Sequence, residues 1–183
     1  MSNLIKIVDP SSPKASIGFE TPFEMLKECH LRVMDQCATL QRLAEHLSIH
    51  QCDQSAAEAA TAIIRYFDLA APNHHADEED DLMPALFDSV AGSDAVCLRG
   101  LANSLYADHK VMNQQWLELR SVLFGVIERK RVRLTEDLVF PFIEGYRSHI
   151  AFEEKELFPM AERLLTEEAI EKMGQSMRRR RGG

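Results

Sequence analysis

Four apolar stripes run through this chain, and each is broken by a histidine. A helix that faces a core repeats its apolar residues at spacings of three and four. One such stripe comprises Phe23, Leu26, His30, Val33, Met34, Cys37 and Ala44. A second takes in Ile63, Phe67, Ala70, His74, Glu78, Leu82 and Ala85. A third runs through Leu98, Ala102, Leu105, His109, Met112, Trp116, Leu123 and Ile127. The fourth holds Leu138, Phe142, Tyr146, His149, Glu153, Leu157, Met160 and Leu164. Each stripe aims one histidine at the core, and two of them add a glutamate one turn later. Residues four apart share a helix face, so His74 with Glu78, and His149 with Glu153, can each converge on one point.

No alternating strand pattern competes with these helices. Residues 1–18 read as an irregular lead-in with Pro10, Pro13 and Gly18. The first helix is expected from Thr21 to about residue 50, with Pro22 at the favoured first position and Thr21 and Glu24 forming a capping box. A turn at 51–54 leads to a second helix from 55 to about 88, which Pro72 and Pro84 should kink or fray. Ala91, Gly92, Ser93 and Asp94 close it and cap a third helix reaching about residue 129. A basic loop at 130–133 precedes Thr135, a plausible cap, with Glu136 and Asp137 favourable in the first turn of the fourth helix. That helix runs to about 165, and a short terminal helix follows Thr166. Four long helices joined by short loops predict an all-α, antiparallel up-down four-helix bundle. Residues 1–18 are then an N-terminal extension, 19–165 the bundle, and 166–183 a short C-terminal helix with a basic tail.

Ligands converge only if they lie at one depth. In an antiparallel pair, residues in one layer are equidistant from the connecting loop, so their sequence midpoint falls on that loop. For His30 and His74 the midpoint is residue 52. For His74 and His109 it lies between Ala91 and Gly92, and for His109 and His149 it is residue 129, at the edge of the basic loop. All three midpoints fall on or beside predicted turns.

An unpaired carboxylate in an apolar core costs several kcal/mol or takes up a proton. Bound cations remove that penalty, and histidine nitrogen with carboxylate oxygen is a donor set that iron and some other divalent metals accept. His30, His74, Glu78, His109, His149 and Glu153 are therefore the candidate metal ligands.

The remaining features bound the function. The chain of 183 residues, 45% apolar, suffices for one domain with a core. Its net charge of −8 argues against general nucleic-acid binding. No apolar run reaches membrane-spanning length. Asp9 and Pro10 interrupt the first twenty residues, which do not read as a signal peptide, so a cytoplasmic location is the default expectation. Cys29, Cys37, Cys52 and Cys97 form no C-x-x-C pair and read as buried or partly buried thiols rather than as a disulfide frame or zinc site. Arg178, Arg179, Arg180 and Arg181 read as a solvated, disordered tail. His46 and His50 read as a solvated face, and His75 and Glu79 as surface groups or supports for the ligands rather than ligands. Tyr106 and Tyr146 read as core residues, Glu156 as a rim charge, and the methionines as core filler.

The segment from His74 to Pro84 also matches that from His149 to Pro159 in register. Tyr106 precedes His109 by three residues, as Tyr146 precedes His149. The two halves look related by a pseudo-two-fold axis, which suits two metal ions bridged by two carboxylates. With His74-His75-x-x-Glu78-Glu79 before Leu82-Met83-Pro84, and His149-x-x-x-Glu153 before Leu157-Phe158-Pro159, the chain resembles the hemerythrin HHE cation-binding family over residues 20–165.

That resemblance implies a non-haem di-iron centre, with a bridging oxo or hydroxo group. His30, His74, His109 and His149 would be terminal ligands, and Glu78 and Glu153 would bridge the irons. It further implies binding or sensing of oxygen, nitric oxide or iron. A di-iron enzyme of the ferroxidase or peroxidase kind, or a protein of iron–sulfur centre repair, is the alternative. Oxygen carriers of this type add a fifth histidine and a His-x4-Asp ending, and neither stands clearly here. None of the seven histidines has a glutamate three residues before it, unlike the carboxylate-rich Glu-x-x-His sites of ferritin-like enzymes, which favours binding over catalysis.

Overall fold

In the computed structural model the described residues are 18–130 and 132–182, and among them every regular element is helical. Helix α1 spans Pro22–Ile49 and α2 spans Gln54–Ala76. A π-helical turn, Asp77–Leu82, carries α2 without a break into α3, Met83–Ser89. Helix α4 spans Ser93–Ile127. Helix α5, Glu136–Phe152, passes through a second π-turn, Glu153–Leu157, into α6, Phe158–Leu164. Helix α7 spans Glu167–Arg180. No helix among the described residues is long and apolar enough to cross a membrane.

The connections are short, so consecutive helices fold back on one another. Helix α1 packs against α2 and α5, and α4 packs against the same two, so each of these four helices neighbours two of the others in a closed ring. Ala56, Ala59 and Ala60 are fully buried, and these small side chains let the backbone of α2 approach its neighbours closely. The sequence midpoints at residue 52, at 91–92 and at residue 129 all lie in the observed connections between α1 and α2, α3 and α4, and α4 and α5.

The apolar core is divided in two. One cluster contains Leu40, Leu43, Ile63, Phe67, Trp116, Leu119 and Phe142. The other contains Leu26, Leu82, Met83, Leu86, Leu98, Leu105 and Phe158. Burying each such Leu, Ile or Phe contributes about 1.5–3 kcal/mol. The expected ligands fall between these clusters in sequence on every helix, as a polar layer with hydrocarbon on both sides.

Both π-turns mark places where the sequence pattern slips. Met83 N–H donates to Glu78 C=O and Phe158 N–H to Glu153 C=O, five residues back in each case. Pro84 and Pro159 follow directly, each lacking an N–H and crowding the carbonyl four residues before it. Widening the preceding turn accommodates them, and helical structure runs on through Pro84, one of the two prolines expected to kink or fray the second helix. The extra residue advances the buried face by one position. Met83 and Leu86 are buried where the stripe predicts Ala85, and Phe158 and Ala161 where it predicts Met160 and Leu164.

Other expectations are corrected by local chemistry. Thr21 stands at the start of α1, but its hydroxyl donates to Gly18 C=O at 3.3 Å and the capping box is not formed. Thr135 precedes α5 without a side-chain cap bond, whereas Asp53 accepts from Ala56 N–H at 2.9 Å and caps α2. Tyr106 is exposed rather than in the core, while Tyr146 is buried. Among the cysteines, Cys97 is exposed. The arginines read as a disordered tail belong to α7 and its C-cap, and two of them make part-buried ion pairs with the buried Asp77. Most of the expected N-terminal extension lies outside the described residues.

Candidate metal centre

Helices α1, α2, α4 and α5 each bring one candidate histidine ligand to the polar layer, and the two π-turns bring the glutamates, Glu78 as the second residue of its turn and Glu153 as the first. His30, His74, Glu78, His109, His149 and Glu153 are all at most 2% exposed. The apolar neighbours that follow from the 3.6-residue period leave these six no access to water.

The six side chains converge. His74 Nε2 lies 3.0 Å from Glu78 Oε1, and His30 Nε2 lies 3.0 Å from Glu153 Oε2. His109 Nε2 stands 3.3 Å from Glu78 Oε2, and His149 Nε2 stands 3.1 Å from Glu153 Oε1. The nitrogens His109 Nε2 and His149 Nε2 are 3.0 Å apart. Despite these approaches, neither oxygen of Glu78 or of Glu153 is hydrogen-bonded, and His30 Nε2 is likewise without a partner. Four fully buried, unsatisfied carboxylate oxygens are a severe cost for a structural core.

Two overlapping groups result. His30, His74, Glu78 and Glu153 form one, with every ligand atom within 4.8 Å of the others, and Glu78, His109, His149 and Glu153 form the second on the same criterion. Both glutamates belong to both groups. The donors are imidazole nitrogen and carboxylate oxygen without thiolate, which suits iron.

Electrostatics reinforce the need for a cation. Burial pushes the His74 imidazole well below its ordinary pKa, and burial together with His149 lowers that of His109. Both are therefore neutral, ligand-ready bases. Burial and the adjacent Glu153 push the Glu78 carboxyl well above the usual range. Burial acts on Glu153 in the same sense, but His149 and His30 outweigh it and hold that carboxyl well below. The protein alone thus tolerates only one of these two charges.

A surrounding set of contacts orients the rings. Glu79 Oε1 lies 2.5 Å from His109 Nδ1, and Glu154 Oε1 lies 2.8 Å from His30 Nδ1. Asp108 Oδ2 stands 3.5 Å from His149 Nδ1 without a hydrogen bond between them. Phe158 stacks on His30 with an 8° interplanar angle. His75 is buried and stacks on His109 at 3.8 Å, and burial with His109 nearby pushes its pKa down to about 3. It lies outside both ligand groups. Its burial follows from packing, because a residue 100° round α2 from His74 faces the next helix of the ring. His46 pairs with Asp53 at 3.0 Å, far from the centre in sequence, and Glu156 is exposed.

Sequence reasoning missed Glu154, Asp108 and the arginines of α7. The first carried a signal, since Glu154 occupies the repeat position of Glu79.

Comparisons with known proteins agree with this geometry. The family described as the hemerythrin HHE cation binding domain matches residues 21–161. The chain is also 33% identical over 169 residues to an uncharacterized protein of Haemophilus influenzae, covering 92% of this chain and 95% of that one. With this layer of buried histidines and glutamates matched across most of its length, the chain belongs to the hemerythrin HHE cation-binding domain family.

Proposed function

We propose that this protein is an antiparallel four-helix bundle, over residues 19–165, that holds a pair of iron ions and binds or senses oxygen or nitric oxide. The observation that carries this reading is the sharing of Glu78 and Glu153 between two ligand groups while all four of their oxygens lack hydrogen-bond partners. His30 and His74 would hold one ion, His109 and His149 the other, and both glutamates would bridge them. When bound, the metal pair supplies Lewis acidity and redox capacity toward a small diatomic ligand.

The chain's own residues do the rest. The two apolar clusters exclude water from the layer. Glu79 and Glu154 fix ring orientation through the outer nitrogens of His109 and His30. Four histidines against two carboxylates favour reversible ligand binding over the carboxylate-rich chemistry of ferritin-like oxidation sites.

Metal analysis with absorption spectra under air, nitrogen and nitric oxide tests the reading. Protein purified without chelator should contain about two irons per chain, as in other dinuclear helix-bundle sites. The oxidised form should show near-ultraviolet ligand-to-metal absorption that changes with the gas. Glu78→Ala and Glu153→Ala should each lower metal content sharply, and His46→Ala should not. Failure to take up iron on anaerobic reconstitution overturns the proposal. Sustained oxygen or peroxide consumption with excess ferrous iron moves it to the enzyme class.

A further inference from the structure

The two π-turns are seated differently. The residue before Glu78 is Asp77, and the residue before Glu153, in the same position of the repeat, is Phe152. An aromatic ring seats one turn among apolar neighbours. The other turn buries a carboxylate whose side chain has no exposed surface. A buried carboxylate is costly unless paired and hydrogen-bonded.

The partners come from the far end of the chain. Arg181 Nη2 donates to Asp77 Oδ2 at 2.5 Å, and its Nη1 donates to Oδ1 at 3.0 Å. Arg180 Nη1 donates to Asp77 Oδ1 and, at 2.7 Å, to Asp81 Oδ2 of the same turn. Helix α7 is itself firmly docked. Met173 and Met177 are buried, and a Cβ on Gly174 would stand 2.0 Å from Phe19 C=O, so only glycine permits that approach. Arg178 meets Glu20 at 3.0 Å.

We propose that Arg180 and Arg181 are positioning residues for the candidate metal centre: by clamping Asp77 they hold the π-turn that carries Glu78. Helix α7 thereby sets how readily this half of the site opens and how fast its metal leaves. The effect on metal rests on the function proposed above, whereas the clamp itself does not.

Two measurements on the full chain separate these. In the metal-free protein, Arg180→Ala with Arg181→Ala should speed amide hydrogen exchange at 78–83 roughly tenfold or more, with 153–158 little changed. Asp77→Asn, which leaves α7 and its arginines in place, should give the same one-sided pattern more weakly. In iron-loaded protein, transfer of ferrous iron to a chelator should quicken by roughly tenfold in the double alanine variant. Lysine at both positions, which keeps the charges but not the bidentate fork, should give an intermediate rate. Unchanged protection at 78–83, or equal loss in both turns, overturns the clamp. If the native protein takes up no iron, the metal reading falls while the exchange result still decides the clamp.

Discussion

Glu79 Oε1 and His109 Nδ1 stand 2.5 Å apart, joining a half-exposed carboxylate on one hairpin to a buried imidazole on the other. Glu154, at the matching position of the sequence repeat, makes the same contact with His30 at 2.8 Å. Each carboxylate follows a candidate bridging glutamate by one residue, so each half of the chain orients a histidine belonging to the other. Such a contact fixes the tautomer, leaving Nε2 free to face the centre. Glu79→Ala and Glu154→Ala should each weaken iron binding by roughly 10–100-fold. Competition with a chelator of known affinity measures this, with circular dichroism to check that the helices persist. Native affinity in both variants would show these contacts to be incidental.

The candidate ligands are legible in the sequence because they violate the apolar period at positions where burial is otherwise certain. A buried His or Glu is informative in a way that a surface one is not. The π-turns are not legible, since one inserted residue rotates the face by only 100° and the stripe of Leu82 and Leu157 survives on either side. The shift emerges only downstream, where Met83 replaces Ala85 in the core. The clamp from α7 was hidden for a different reason. Asp77 stands in a run with Glu78, Glu79, Asp80 and Asp81, and a run of like charges ordinarily faces water. Only the three-dimensional approach of Arg180 and Arg181 marks Asp77 as buried beside Glu78.

Asp68 provides a pH signature away from the candidate centre. It accepts from Trp116 Nε1 at 3.0 Å and from Arg120 Nε at 2.8 Å. Partial burial raises its pKa, but the hydrogen bonds from Arg120 and Trp116 outweigh this and hold the carboxyl below its ordinary value. A carboxyl whose folded pKa is depressed stabilises the protein above its unfolded value, about 3.9, and loses that contribution as pH falls through the lower folded value. The stability difference between native protein and Asp68→Asn, on the order of 1 kcal/mol or less for a partly exposed pair, should therefore hold from neutral pH to about 5 and shrink below 4. Urea unfolding of metal-free protein followed by Trp116 fluorescence measures it. A difference that grows on acidification contradicts the assignment.

The end of α4 stores strain that substitution can release. Arg129 has φ of 55°, while its N–H donates to Val126 C=O at 3.0 Å and Lys130 N–H donates to Gly125 C=O at 2.9 Å. This is the helix-terminating pattern whose left-handed residue is usually glycine. A side chain in that conformation costs about 1–2 kcal/mol, offset only partly by an exposed hydrogen bond from Arg129 to Gln54. Arg129→Gly removes the clash of Cβ with the backbone, although glycine's extra freedom in the unfolded chain returns part of the gain. Arg129→Ala keeps the Cβ and loses only the Gln54 contact, so it isolates the strain. The glycine variant should exceed the alanine variant by up to about 1 kcal/mol, which for a chain of this size raises the melting midpoint by roughly 2–4 °C. Calorimetry of metal-free samples decides it: equal midpoints would mean that the positive φ costs nothing and that this turn is held by its hydrogen bonds alone.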